Sequence, residues 1–124
     1  MARPPKPPVT ESVQRAMDEF HADFVDEVRR AIAEHDIVVV GMAQNPHVRR
    51  ARAALDEAGI QYRYIGHGSY LGGYQRRLAI KMWTGWPTFP QVFVRGTLIG
   101  GRADMMQAIT DGTLKAMLED KAAS

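Results

Sequence analysis

The sequence of 124 residues contains no cysteine. That absence excludes structural disulfides, thiolate zinc sites, cysteine-ligated iron–sulfur clusters and every reaction in which a protein thiol is the nucleophile. Long hydrophobic runs are also missing. None approaches the roughly 18–20 residues of a membrane-crossing helix, and the start of the chain, Met1-Ala2-Arg3-Pro4-Pro5, lacks the apolar stretch of a secretory signal. A cytoplasmic location is expected from these two features. Charge of one sign is not in excess either: 16 Lys and Arg stand against 14 Asp and Glu, for a formal +2. A balance that close predicts neither a nucleic-acid surface nor a membrane surface, and the pI near 9.2 adds little. What is present suffices for one domain, because 45% of the residues are hydrophobic and a chain of this length buries one ordinary core.

Four prolines fall at positions 4, 5, 7 and 8, so residues 1–10 read as a Pro-rich arm without a helix. Residues 11–35 read as an N-terminal amphipathic helix or pair of helices. Thr10 can cap it, Glu11 suits its start, and Val13, Met17, Phe20, Phe24, Val28 and Ile32 recur at spacings of three and four. This pattern would make one helix of roughly six turns, or two if Asp23 acts as an internal cap. Its apolar stripe is expected to pack on the chain's own core.

Residues 36–121 read as the main domain. Ile37 to Val40 form an unbroken β-branched run that suits a strand buried on both faces. Asn45 is placed to cap a helix beginning at Pro46 and stopping near Gly59, and Gln61 to Ile65 alternate as a second strand. This βαβ order implies parallel pairing. The segment Gly66 to Gly73 holds four glycines and reads as a flexible loop that matches neither the dinucleotide nor the Walker phosphate pattern. A helix then runs from about Tyr74 to Trp83. Gln91 to Val94 and Thr97 to Ile99 flank Arg95-Gly96 as a hairpin with a two-residue turn, and a last helical stretch starts near Ala103 with an interruption at Asp111-Gly112.

The stretch Trp86-Pro87-Thr88-Phe89-Pro90-Gln91-Val92-Phe93-Val94, followed by a Gly turn and Leu98-Ile99-Gly100-Gly101, closely resembles the second half of monothiol glutaredoxins. The segment from Val38 through Asn45-Pro46-His47-Val48 to Ala51 looks like that family's first strand, active-site loop and following helix, so the resemblance covers roughly residues 24–121. It implies an α/β thioredoxin fold, with a four-stranded mixed sheet flanked by helices in the order βαβαββα and an extra N-terminal helix. It further implies that Pro90 is a cis proline, and that Thr88 and Phe89 offer main-chain groups to the cysteine part of glutathione. Arg77 corresponds to the arginine that reaches the glycine carboxylate, a task suited to bidentate donation. Gly101, Arg102, Ala103 and Asp104 correspond to the region that holds the γ-glutamyl end, with Asp104 one position later than the monothiol pattern.

The sequence departs from the family at the reactive positions. Asn45 stands where the nucleophilic cysteine belongs and Val48 where dithiol members have their second cysteine. A carboxamide neither ionises near neutral pH nor attacks a disulfide, and Val48 is inert. No catalytic residue and no iron–sulfur cluster are expected. His47 replaces an aromatic residue, and the spacing of His21, His35, His47 and His67 suggests no metal site. The expected function is that of a redox-inactive relative, not an enzyme, that binds glutathione or a γ-glutamyl or peptide ligand weakly through Asn45, His47, Arg77, the Thr88–Pro90 segment and residues 101–104. The alternative is a protein-interaction module whose N-terminal helix docks on a partner or on a second copy.

Overall fold

A computed structural model describes residues 2–66 and 73–123. Most of the glycine-rich segment, residues 67–72, lies outside the described residues, and so does the expectation of a flexible loop there. The elements run α1 (Glu11–Glu19), α2 (Ala22–Glu34), β1 (Ile37–Gly41), α3 (Pro46–Glu57), β2 (Arg63–Gly66), α4 (Tyr74–Thr84), β3 (Gln91–Val94), β4 (Thr97–Gly100), α5 (Arg102–Asp111) and α6 (Thr113–Ala123).

The four strands form one mixed sheet in the order β2-β1-β3-β4. β1 pairs in parallel with β2, as the βαβ crossover requires, and antiparallel with β3. Each residue of β1 is buried because the sheet is covered on both sides. Ile37 and Val39 face a core built with Leu55 of α3, Met105 of α5 and Leu114 of α6. Val38 and Val40 face the other core, with Phe24 and Val28 of α2 and Ile80 of α4. The period of two along a strand turns an all-apolar run into two cores.

The β3–β4 hairpin closes through Arg95 and Gly96, both at positive φ (49° and 84°), the backbone signs of the tight turn that follows the natural strand twist. A register shift between Val92 and Phe93 then carries β4 to Gly100.

The N-terminal stripe is two helices, and the break lies before Asp23. Thr10 caps α1, its hydroxyl accepting from the Val13 N–H at 3.3 Å. His21 takes a left-handed conformation (φ 46°, ψ 41°) that no continuous helix tolerates, while Asp23 sits in the first turn of α2. The His21 ring is held across the gap by Gln75 of α4, 3.2 Å from Nε2 to Oε1. The break divides the apolar stripe as well. Phe24, Val28 and Ala31 of α2 are buried, whereas α1 buries no residue at all, which corrects the expectation that the whole stripe packs on the home core.

Candidate ligand groove

Three segments converge at the end of the sheet where β1 finishes and β3 begins. The first is the start of α3. Asn45 caps this helix: its Oδ1 accepts from the His47 N–H at 2.8 Å and from the Val48 N–H at 3.4 Å, and Pro46 occupies the first helical position, where its missing N–H costs nothing. The carboxamide oxygen is thus spent on the helix. Val48 is fully buried and packs against Gly41 so closely that a Cβ there would lie 2.5 Å from its Cγ2. The two positions to which the resemblance assigns cysteines are here a helix cap and a core side chain.

The second segment carries Thr88, Phe89 and Pro90. The Phe89–Pro90 peptide is cis; Thr88 is exposed, Phe89 half-buried and Pro90 buried. A polar network anchors the segment at both ends. The Thr84 hydroxyl lies 3.0 Å from the Ile80 carbonyl and 2.9 Å from Gln91 Oε1, and accepts from the Trp86 N–H at 3.1 Å. Gln91 is wholly buried, and its Nε2 donates to the Trp86 carbonyl at 3.0 Å. A buried amide satisfied at both ends holds a loop in one geometry. In the sequence Gln91 is only the first residue of a strand, and the one signal of this role is a Gln opening an otherwise apolar run.

The third segment is the start of α5. The Gly101 N–H donates to Asp104 Oδ2 at 2.9 Å, so one oxygen of that carboxylate caps the helix. Gly100 has φ 119°, and a Cβ there would collide with the Asp104 carboxylate, so both backbone and space require glycine. A Cβ at Gly101 would come within 3.4 Å of the Pro90 carbonyl, which measures how tightly the second and third segments meet. The third segment also reaches the first: Arg102 Nε donates to His47 Nδ1 at 3.3 Å across 55 residues of sequence, and the same guanidinium contacts Met106 Sδ at 3.5 Å. His47 is exposed, and so is Ala103, which follows Arg102 in the chain.

Asn45, His47, Phe89, Pro90, Gly101, Arg102 and Asp104 thus belong to one region. Lys81 of α4 lies 5.6 Å from the centre of the Phe89 ring, which packs on the α2–α4 side of the sheet. Arg77 sits half-buried on the first turn of α4 beside Arg76, outside the contacts just described. Among the described residues no group of three or more His, Asp or Glu could hold a metal ion, and no helix is long and apolar enough to cross a membrane.

The comparisons with known proteins fit this geometry. Residues 37–99, half of the chain, match the model of the glutaredoxin family. The chain belongs to the glutaredoxin family. A glutaredoxin-like protein of Dictyostelium discoideum is 46% identical over 112 residues, covering 90% of this chain and 91% of that protein. A probable monothiol glutaredoxin of Legionella pneumophila is 32% identical over 75 residues, 60% of this chain and 81% of its own length. Among solved structures, a mutated buckwheat glutaredoxin superposes with a TM-score of 0.73 at 26% identity, covering 83% of this chain and 94% of its own. A buckwheat glutaredoxin–glutathione complex gives 0.68 at 26% identity, with coverages of 91% and 96%. This member of the family has the thioredoxin-like fold of those structures, yet without a cysteine it has no thiol from which to form a mixed disulfide with glutathione.

Proposed function

We propose that this glutaredoxin-family protein is a non-catalytic receptor for glutathione or a closely related γ-glutamyl or peptide ligand. The single observation that carries the reading is the use of Asn45. Its side-chain oxygen satisfies the α3 N–H groups beside which a reactive thiolate would sit, so the helix start is kept in order while the nucleophile is gone. The surface around it keeps what a peptide receptor needs. The Thr88–Phe89 backbone is anchored by Gln91 and Thr84, the start of α5 is fixed by Asp104, and Arg102 supplies positive charge for a carboxylate. Main-chain groups recognise a peptide-like ligand without demanding a particular side chain, and a guanidinium holds a carboxylate by paired donation. Arg77, where the family resemblance puts the contact to the glycine carboxylate, is the further cation assigned to this role.

Calorimetric titration with reduced glutathione tests the reading. Saturable binding with a Kd between about 10 μM and a few mM is expected, weakened about tenfold in Arg77→Ala and in Arg102→Ala, the loss expected when one charged hydrogen bond is removed. Absence of saturable heat at about 10 mM glutathione, or affinities untouched in both variants, refutes it.

A further inference from the structure

We propose that α1 and the adjoining face of α4 form a self-association surface that a second copy of this chain covers. The large apolar side chains that stay exposed are not scattered. Of the seven among the described residues, Val9, Val13, Met17, Met82 and Trp83 belong to the N-terminal segment and to the last turns of α4, and these two elements share one groove of about 410 Å³. Met17, Phe20, Val25, Ala79, Met82 and Trp83 line it. Val13 stands one turn before Met17 on the same stripe, and Val9 one step before that. Clustered exposure of this kind marks a contact surface, and Met and Trp are enriched at the centres of such surfaces.

The helix itself requires cover. α1 has nine residues and buries none of them, whereas an isolated helix shorter than about 12–15 residues is marginal in water. Its cap at Thr10 and the exposed Arg15–Glu11 pair at 3.5 Å contribute little against that cost. The ion pair lies on the side of the helix away from Val13 and Met17, which leaves the apolar side for a partner.

The charge around the groove selects the occupant. Asp26 is already held by Arg29 at 2.6 Å and by Arg30 at 2.8 Å, so the remaining charges on the rim are Lys6 and Asp18, one of each sign. A rim of that kind exerts no net pull on an acidic or basic partner, nucleic acid and anionic lipid included. It does match itself under a two-fold axis, which sets Lys6 of one copy against Asp18 of the other and brings the two Met17–Trp83 surfaces together. The surface uses none of the ligand groove, so it stands independently of the function proposed above.

Sedimentation equilibrium of the full chain tests the proposal. A concentration-dependent monomer–dimer equilibrium is expected, with a Kd in the micromolar range, weakened at least tenfold in both Met17→Glu and Met82→Glu. These two side chains are exposed on different elements, and circular dichroism with a thermal melt identifies any variant that fails to fold. A monomer at all concentrations up to about 100 μM overturns the proposal. So does a dimer that persists unchanged in both folded variants, since it would use another face.

Discussion

Removing the cap of α3 gives the most direct measure of what Asn45 does. In Asn45→Ala the Oδ1 that accepts from His47 at 2.8 Å and Val48 at 3.4 Å disappears. The His47 N–H is exposed and regains a water; the Val48 N–H is partly buried and regains one less readily, but its bond is the longer and weaker of the two. The loss therefore falls near the middle of the range for cap removal, about 1 kcal/mol. For a chain of this length that corresponds to a fall in Tm of about 3–5 °C. Asn45→Asp keeps the acceptor and adds a negative charge at the positive end of the helix, so it should melt within about 1 °C of the parent or above it. Differential scanning calorimetry at neutral pH reads both. If Asn45→Ala melts within about 1 °C of the parent, or Asn45→Asp is as destabilised as Asn45→Ala, the residue is not acting as a cap and the account of the groove fails with it.

Two further outcomes follow from the same contacts. Gln91→Leu strips the Trp86 carbonyl and the Thr84 hydroxyl of their buried partner; urea unfolding should show a loss of about 1–3 kcal/mol at unchanged m, and glutathione affinity should fall with it as the Thr88–Pro90 segment loses its anchor. Acid stability should depend on two exposed carboxylates. Hydrogen bonding from Arg29, then Arg30, holds Asp26 below its ordinary value of 3.8, and hydrogen bonds from the Thr113 side chain and N–H do the same for Asp111. A carboxylate lowered in the folded state contributes stability that is complete above its unfolded value and lost as pH falls through its folded value. The parent should therefore lose Tm progressively below about pH 4, and Asp26→Asn combined with Asp111→Asn should flatten that part of the curve; an unchanged slope refutes the assignment.

Much of this molecule follows from patterns within a few neighbouring residues. The all-apolar run at Ile37–Val40 suited a strand covered on both faces, Asn45-Pro46 suited the opening of a helix, and Arg95-Gly96 between two apolar runs marked the hairpin. These are local rules of period, cap and turn, and each is written in neighbouring residues. The missing thiol needed no structure at all. Three features were decided only by tertiary contacts. The sequence allowed one N-terminal helix or two; the left-handed turn at His21, whose ring meets Gln75 from 54 residues away, leaves α1 without a home core although its periodicity is as good as that of α2. Gln91 acquired its role from Thr84 and Trp86, whose approach depends on how α4 ends. Arg102 and His47 meet across 55 residues because the sheet brings the starts of α3 and α5 together. Local sequence fixes what a segment can be, because caps, turns and periodicity act within a few residues; which side chains meet depends on the packing of distant elements, and no local pattern encodes that.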